Sequence, residues 1–356
     1  MKERIYICHT FYHVYIAVLK ELNLDKSKRG QASLILSTMS NDFSEMVDRA
    51  RKCDLFEAVY LYDEKADVTS DKVMKYHKDR GNLVSNLLQR MIYTKLLGKL
   101  QEQYIPVNLK EYKDIYVFCD SDPIGYYLSY RRIPYHAVED GLDTIKYCDD
   151  AKYGNRGHFE LKARMAALNL IFIENGYSKY CIDMEVNEIS GIKYPTEKFI
   201  EVPRRKLFEG VNPEDVHYFT EIFMPNGDEL MRKIDSANKS KRQMLVLSDP
   251  VCDPSERGRI MRDIINEYCK DATVFIKPHP RDIYNYKTEE FDDCIILSGR
   301  YPMEVLNLYP QLHIDTVISI LTVIDGIDFA DNKIFLGPDF MDRYEDPLIH
   351  RQNEQI

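Results

Sequence analysis

The chain has 356 residues, of which 44% are apolar and 30% are charged, and its formal net charge is −10. A chain of this length exceeds one ordinary hydrophobic core, so we expect two domains. The acidic balance argues against a nucleic-acid-binding protein, which normally carries a basic surplus.

Strand-like apolar runs alternate with helical patterns through the first part of the chain. Apolar residues recur at helical spacing at Val14, Val18 and Leu22, and again from about Ser70 to Gln103. Strands are predicted at RIYICH (4–9), ASLILS (32–37), AVYLY (58–62), DIYVFCD (114–120) and YHAVED (135–140).

The same alternation restarts after residue 235. Helices are predicted from Ser255 to about Lys270 and near Met303 to Tyr309. Strands are predicted at QMLVLSD (243–249), ATVFIKP (272–278), CIILS (294–298), HIDTVIS (313–319) and NKIFLG (332–337).

Repeated strand–helix units predict parallel sheets covered by helices on both faces. A polar stretch at 224–243 separates the two runs and indicates a boundary between domains at 1–235 and 236–356. We therefore predict an α/β chain of two Rossmann-like, doubly wound domains facing a central cleft. Ligands of such sheets bind beyond the carboxyl ends of the strands, so reactive side chains there are the first candidates.

Two adjacent carboxylates, Glu139 and Asp140, end a predicted strand and are followed by Gly141. Neighbouring strand residues point to opposite faces, so only one carboxylate can face a ligand while the other organises the turn. A partly desolvated carboxylate there suits general-base chemistry on a hydroxyl. The alternative is an ordinary acidic turn, because Asp-Gly is a common turn dipeptide.

The segment KPHP at 277–280 places Lys277 and His279 each directly before a proline, Pro278 and Pro280. Proline restricts the residue before it to extended backbone, so both side chains are held rigidly. A histidine fixed in this way can donate to a phosphate or protonate a departing oxygen. The alternatives are a structural histidine and a solvent-exposed lysine.

Two later segments carry candidates for nucleotide binding. Glu304 lies in the first turn after Pro302, where a glutamate fits helix-start preferences or could accept hydrogen bonds from ribose hydroxyls. Ser319 and Thr322 follow a strand, where hydroxyls and backbone N–H groups can hold a phosphate without a metal. An ordinary helix-capping serine is the alternative reading.

A competing site is the sequence DSD at 120–122. Asp120 and Asp122 form the Asp-x-Asp pattern by which nucleotide-sugar enzymes hold a divalent ion, although Asp122 before Pro123 also fits a helix start. Whether this pair binds a metal is left open by the sequence. The chain contains no P-loop and no GxGxxG, HExxH or GxSxG motif, so ATPase, dinucleotide and common hydrolase functions lack support.

The cellular location of the chain is predicted from its signal-peptide, membrane-spanning and cysteine patterns. The amino-terminal residues have no continuous apolar stretch of signal-peptide type, and the apolar run at 165–173 is too short to span a bilayer. The eight cysteines show no metal spacing, and Cys8 and Cys119 lie in strand-like runs as small hydrophobes. We expect a cytoplasmic chain; basic clusters at 204–206 and 239–242 leave attraction to the inner face of a membrane open.

Taken in order, four motifs resemble those of bacterial sialyltransferases, and in particular glycosyltransferase family 52, the lipooligosaccharide sialyltransferase family. They are the acidic pair with glycine at 139–141, His-Pro at 279–280, Pro-x-Glu at 302–304 and the serine at 319. The matching landmarks extend from about residue 4 to residue 340. The resemblance implies a fold of GT-B type, which agrees with the alternation of strands and helices.

The resemblance also implies an inverting transfer of sialic acid from CMP-sialic acid to a glycan hydroxyl, with neither a metal nor another cofactor. It makes Asp140 the general base, with Glu139 and Gly141 shaping the turn. His279 would contact the CMP phosphate and assist departure of the nucleotide.

Further donor contacts are implied for the second domain. Glu304 would bind the cytidine ribose, and Ser319, with Thr322, would hold the phosphate. The remaining predicted donor-binding residues are Ser248, Asp249, Lys277 and Pro280.

The expected partners are a CMP-sugar and an oligosaccharide or glycolipid acceptor of lipooligosaccharide or capsule type. Membrane contact stays open, and so does a homodimer, which members of this family can form. The alternatives are a GT-B transferase that uses a UDP-hexose or CDP-glycerol, and a non-catalytic protein that binds nucleotides or carbohydrates. The acceptor sugar and the linkage are not set by the sequence.

Overall fold

The computed structural model describes residues 1–141, 150–190, 192, 195–224, 227–236, 240–310 and 312–350. It separates into two compact units, Met1–Tyr218 and Phe219–Ile356. This division comes earlier than the boundary at 235 that composition indicates. Residues just after it belong to the second unit, where the hydroxyls of Thr220 and Tyr309 lie 2.7 Å apart.

The first unit is built on a seven-stranded sheet in which every pairing is parallel. Its strands run in the spatial order β3-β2-β1-β4-β5-β6-β7, which contains the Rossmann order 3-2-1-4-5-6. The strands are β1 (Lys2–Cys8), β2 (Ala32–Ser37), β3 (Phe56–Tyr62), β4 (Tyr112–Phe118), β5 (Tyr135–Val138), β6 (Cys181–Val186) and β7 (Phe199–Glu201).

Helices connect these strands, as parallel pairing requires. They are α1 (Phe11–Leu22), α2 (Ser44–Lys52), α3 (Asp71–Met74), α4 (Leu83–Gln101), α5 (Pro123–Arg131), α6 (Asp150–Gly154), α7 (Phe159–Ala167), α8 (Arg204–Glu209) and α9 (Val216–Phe223), the last of which crosses the division. Short 3₁₀ helices lie at Lys26–Lys28, Leu109–Glu111 and Pro213–Asp215.

The second unit repeats this design with a five-stranded parallel sheet in the order β10-β9-β8-β11-β12. Its strands are β8 (Arg242–Leu247), β9 (Ala272–Lys277), β10 (Cys294–Ile296), β11 (Ile314–Ser319) and β12 (Ala330–Phe335). Its helices are α10 (Gly227–Ser236), α11 (Pro254–Tyr268), α12 (Gly337–Met341) and α13 (Pro347–His350), with 3₁₀ helices at Glu289–Phe291 and Met303–Leu308.

The strand order reverses beside the first strand of each unit, between β1 and β4 and between β8 and β11. In open parallel sheets, ligands bind outside the carboxyl ends of the strands at this switch point. The loops after β1, β4 and β5, and those after β8, β9 and β11, are therefore the places where functional side chains are expected.

The predicted α/β fold of two Rossmann-like units is confirmed, with local differences. Strands β6 and β7 were not predicted. The helix expected over about 70–103 is two helices, α3 and α4, because the intervening segment includes Gly81 with a left-handed φ of 76°. Among the described residues, none of the helices combines the length and apolarity needed to cross a bilayer.

Candidate active site

The two carboxylates that follow β5, Glu139 and Asp140, differ in burial and in role. Glu139 is buried, and its Oε2 accepts a hydrogen bond of 2.7 Å from the backbone N–H of Asn187. Its own N–H donates to the carbonyl of Glu185 at 2.9 Å. Glu139 thus holds the β5 turn to β6, whereas the side chain of Asp140 is 45% exposed. Gly141 follows Asp140 and is half-buried.

Asp140 is held by a buried histidine from α1. Oδ1 of Asp140 lies 2.6 Å from Nε2 of His13. The other ring nitrogen of His13, Nδ1, accepts the backbone N–H groups of His9 at 3.0 Å and Thr10 at 3.3 Å. The ring proton therefore lies on Nε2 and is donated to Asp140. The His13 ring also stacks on Phe118, with centroids 4.6 Å apart.

These donors keep Asp140 ionised. Burial by itself would raise the pKa of Asp140, but the hydrogen bond and charge of His13, with the Cys119 thiol and His9, together outweigh burial and hold the pKa well below its usual range. Burial raises the pKa of Cys119 itself well above its usual range, so it acts as a thiol donor. Asp140 is therefore a partly exposed carboxylate anion.

Cys119 corrects one expectation from the sequence. It lies after the end of β4 and adopts a left-handed φ of 53°, which a side chain other than glycine rarely adopts. It is not simply a small hydrophobe within a strand, because its side chain interacts with Asp140. Residues in such sparsely populated backbone regions cluster at functional sites.

A second buried histidine, His9, was not identified from the sequence. It directly follows β1, and its Nε2 lies 2.7 Å from Glu64 and 3.5 Å from Asp122. Burial would lower the pKa of His9, but the Glu64 carboxylate, together with Asp122 and Asp140, more than offsets this and raises the pKa to about 9. At neutral pH His9 is thus an imidazolium between two carboxylates.

Glu64 joins several strand ends through the same carboxylate. It accepts a hydrogen bond from Ser37 Oγ at 2.5 Å and from the backbone N–H of Ile124 at 2.7 Å. Ligand atoms of His9, Glu64 and Asp122 lie within 4.8 Å of one another, which is spacing suited to a cation. The protein donors already present satisfy Glu64 without one.

The two aspartates of the Asp-x-Asp sequence have separate surroundings. Asp120 is buried, and its two oxygens accept from the Tyr135 hydroxyl at 2.7 Å and from the backbone N–H of Asn175 at 3.0 Å. Asp122 lies beside His9, and burial raises its pKa to about 6. The contacts of Asp120 support a structural role for that residue.

In the second unit, the His-Pro segment forms an ordered turn just after β9. Pro280 takes the second position of this turn, which the N–H of Asp282 closes by donating to the carbonyl of His279 at 2.9 Å. The N–H of Arg281 donates to Nδ1 of His279 at 3.1 Å, which places the ring proton on Nε2. Burial, with the nearby cations Arg281 and Lys277, lowers the pKa of His279 to about 4.

Asp282 organises this turn and was also not identified from the sequence. Its side chain is fully buried and accepts from Arg257 Nη1 at 3.0 Å, Tyr286 Oη at 2.7 Å and Ser248 Oγ at 2.5 Å. Ser248 in turn accepts the backbone N–H of His279 at 3.0 Å. Ser248 therefore positions the histidine through its backbone.

Lys277, the last residue of β9, is buried rather than exposed to solvent. Its Nζ donates to the carbonyl of Tyr301 at 2.8 Å and lies 4.4 Å from the centroid of that ring. Burial lowers the pKa of Lys277 to about 7, and burial raises the pKa of nearby Glu304. Among the described residues, the buried hydroxyl of Tyr301 has no hydrogen-bond partner.

The two predicted phosphate-binding hydroxyls close a turn after β11. Ser319 is fully buried, and its Oγ donates to the carbonyl of Thr322 at 2.7 Å. The Thr322 hydroxyl donates to buried Asp249 at 2.5 Å, and Asp249 also accepts the N–H of Leu321 at 3.0 Å. A phosphate contact by either hydroxyl would require one of these bonds to be exchanged, so both contacts stay predictions.

The predicted residues thus gather at strand ends in each unit. In the first unit they are Glu139, Asp140 and Gly141, after β5. In the second unit they are Ser248 and Asp249 after β8, Lys277, His279 and Pro280 at the end of β9, Glu304 in the 3₁₀ helix, and Ser319 and Thr322 around the end of β11.

Two parallel Rossmann-like sheets with these strand-end residues define an α/β protein of the GT-B class. The model of glycosyltransferase family 52 matches residues 56–335, and the chain belongs to this family of enzymes. A search of curated proteins found no match.

Solved structures with the same fold include two bacterial sialyltransferases. One is an α/β-galactoside α-2,3-sialyltransferase from Photobacterium phosphoreum, with 10% identity, a TM-score of 0.55, and coverage of 93% of this chain and 89% of that chain. The other is the GT-B domain of a sialyltransferase from Photobacterium damselae, with 13% identity, a TM-score of 0.55, and coverage of 99% and 97%. At these identities the likeness establishes the fold.

Proposed function

We propose that this glycosyltransferase moves sialic acid from CMP-sialic acid to a hydroxyl of a glycan acceptor, with inversion and without a metal. The observation that carries the proposal is the Asp140 carboxylate, which is partly exposed at the carboxyl edge of the sheet while His13 holds it as an anion. Family membership, and similar structures that are named sialyltransferases, favour this donor over others.

In this mechanism, Asp140 accepts the proton of the acceptor hydroxyl as its oxygen attacks the anomeric carbon. The bond between that carbon and the phosphate oxygen breaks, and its electron pair stays on the oxygen of CMP. Attack opposite the departing CMP inverts the anomeric centre.

Residues of the second unit are proposed to receive the nucleotide. His279 is neutral before binding because its pKa is about 4, and it presents an Nε2–H donor. The negative charge of a bound phosphate favours the protonated imidazole, so His279 can supply a proton or a strong hydrogen bond to the departing oxygen. Lys277 adds positive charge, Glu304 binds ribose hydroxyls, and the turn at Ser319 and Thr322 holds the phosphate.

A donor screen tests this proposal. Purified protein is incubated with CMP-sialic acid, a UDP-hexose or CDP-glycerol, each with and without lactose, and the release of nucleotide is followed by chromatography. We expect CMP release only from CMP-sialic acid, stimulated by the acceptor and unchanged by EDTA. Turnover of another donor would assign a different transferase activity, and binding without turnover would indicate a non-catalytic protein.

The natural acceptor is proposed to be a glycan of lipooligosaccharide or capsule type, and the reaction to take place in the cytoplasm at the inner face of the membrane. Of the basic cluster at 204–206, Arg205 and Lys206 are exposed and could attract anionic lipid, although Arg205 pairs with Glu209 at 2.8 Å and Arg204 is buried. Flotation with vesicles that contain anionic lipid, compared with neutral vesicles, tests this location. Sedimentation equilibrium tests a homodimer.

A further inference from the structure

The first unit contains a pocket of about 430 Å³ that the proposed chemistry does not use. Its size falls within the range of about 300–1,000 Å³ that is typical of small-molecule sites. The segment joining α3 to α4 and the first half of α4 form one side. The loop after β4 and the start of α5 supply the rest, with Gly154, Asn155 and Glu174.

The pocket is lined by part of the same loop that contacts Asp140, the proposed base. Ser121 lines it and lies in the loop after β4, two residues beyond Cys119. The side chain of Cys119 interacts with the Asp140 carboxylate. The pocket and the Asp140 carboxylate therefore contact the same loop, the one that follows β4.

Aromatic rings form much of the pocket wall. The rings of His77 and Tyr93 have centroids 5.2 Å apart, and those of Tyr93 and Tyr126 lie 5.7 Å apart in an edge-to-face arrangement. Tyr76 also lines the pocket. Such rings offer apolar surfaces on which the C–H faces of a pyranose can pack, while their polar atoms stay available for hydrogen bonds.

One polar atom in the wall, Oε1 of Gln89, lacks a hydrogen-bond donor among the described residues. Oε1 of Gln89 is buried and has no hydrogen-bond partner within the part of the chain that the structure describes. A buried acceptor without a partner is uncommon in native proteins and costs free energy unless a ligand or water satisfies it. Since this oxygen accepts from no described group, Gln89→Ala deprives no described protein donor of its acceptor.

The charges in the wall balance each other. Lys78 and Arg90 are matched by Asp79 and Glu174. Asp79 accepts from the N–H of Gly81 at 2.8 Å and from Asn86 Nδ2 at 2.6 Å, and Arg90 donates to the carbonyl of Phe172 at 2.9 Å. A balanced, hydrogen-bonding and aromatic wall suits a neutral polyhydroxylated ligand better than an anion.

We propose that this pocket binds the neutral sugars of the glycan acceptor that lie beyond the sugar receiving the transferred residue. The inference rests on the proposed function, because it takes Asp140 as the base that acts on the acceptor. It adds that acceptor length is recognised by α4 and by the segment between α3 and α4.

The experiment compares acceptors of different length. The probes are methyl β-galactoside, lactose and a neutral tetrasaccharide with a terminal galactose, used with CMP-sialic acid. The variants are Gln89→Ala and His77→Ala, and the control is Lys95→Ala, an exposed residue of the same helix. Circular dichroism melting checks folding, and hydrolysis of the donor in the absence of acceptor reports on the chemistry alone.

We expect kcat/KM of the wild type to rise with acceptor length. Gln89→Ala and His77→Ala should each lower kcat/KM for the tetrasaccharide about 5- to 10-fold, the loss of roughly one hydrogen bond or ring contact. Values for methyl β-galactoside, and donor hydrolysis, should stay unchanged, as should all values for Lys95→Ala. Equal rates for all three acceptors, or variants that match the control, would overturn the proposal.

Failure of the proposed function gives a different result, since the wild type would then not release CMP at all. Saturation-transfer NMR with the tetrasaccharide alone still decides the inference in that case. Binding by the wild type that Gln89→Ala weakens supports the pocket, and absence of binding, or equal binding by the variant, refutes it.

Discussion

Nε2 of the buried His13 lies 2.6 Å from Oδ1 of Asp140, and its orientation is fixed because Nδ1 accepts two backbone N–H groups. This donor keeps the pKa of Asp140 low. In His13→Ala that pKa should rise toward its ordinary value of about 4. Activity should then fall as the pH drops below about 5, more steeply than in the wild type, and kcat at pH 7 should fall about 10-fold through loss of orientation.

The measurement is the pH profile of kcat from pH 4 to pH 8 for the wild type, His13→Ala and His13→Gln. The glutamine variant keeps an N–H donor and should restore part of the activity and of the wild-type profile. Identical profiles for the wild type and His13→Ala would show that His13 does not govern the ionisation of Asp140.

Buried Asp282 is expected to position His279. Asp282→Ala leaves the largely buried Arg257, whose side chain is 11% exposed, without its carboxylate partner and releases Ser248. It should therefore cost roughly 3–5 kcal/mol in the free energy of unfolding. The affinity for CMP should fall at least about 10-fold, since an unpositioned histidine loses its strong hydrogen bond. Urea unfolding and calorimetric titration with CMP measure the two effects.

A less disruptive variant separates positioning from folding. Ser248→Ala removes the acceptor of the His279 N–H and should weaken CMP binding with a smaller loss of stability. If CMP affinity is unchanged in both variants, the His-Pro turn is not the phosphate site.

Lys277 predicts a pH dependence of nucleotide binding. Its pKa is lowered to about 7 by burial, and a bound phosphate favours the charged form and raises that pKa. CMP binding then takes up a proton above pH 7, so Kd should rise up to about tenfold per unit between pH 7 and pH 9. In Lys277→Met the affinity for CMP should be weaker at pH 7, and its Kd should stay nearly constant between pH 7 and pH 9. A wild-type Kd that does not change with pH would contradict a role for Lys277.

The buried pair of His9 and Glu64 predicts a pH dependence of stability. The folded pKa of His9, about 9, exceeds its unfolded value of about 6.5. The pair therefore contributes its full stability below pH 6.5 and loses it as the pH rises through 9. Glu64→Gln should cost about 3–5 kcal/mol at pH 6 and less at pH 9.5.

Urea unfolding of the wild type and Glu64→Gln across this range isolates the effect, because other titrating groups cancel in the difference. A difference in unfolding free energy that stays constant with pH would show that His9 is not charged in the folded state.

Much of the fold follows from local sequence patterns, because buried parallel strands such as β1 and β2 are nearly continuous apolar runs. Strand β6 does not follow this pattern, because Asp183 and Glu185 interrupt its run of apolar residues. Those charges are matched only by tertiary partners, with Asp183 2.8 Å from His136 and Glu185 2.5 Å from Lys20. No local pattern reveals such partners.

The candidate site was predictable to the extent that reactive residues follow strands directly, as with Asp140 and His279. His9 and His13 also follow a strand closely, because they lie on either side of the start of the helix after β1. Their hydrogen-bond partners, however, come from the ends of strands that are distant in sequence. Asp282 likewise follows His279 by three residues, and only the turn geometry shows that it holds Ser248. Hydrogen-bond partners across the sheet edge need the strand order, which sequence patterns do not supply.

The central claim is that Asp140 acts as the base and His279 assists the leaving nucleotide in one reaction, and kcat together with CMP affinity tests it most directly. With CMP-sialic acid and lactose, Asp140→Asn should lower kcat by about 10²–10⁴ with CMP affinity unchanged, and His279→Ala should weaken both. The exposed control Asp48→Asn should match the wild type. Sialyl transfer by Asp140→Asn at the wild-type rate would contradict the account.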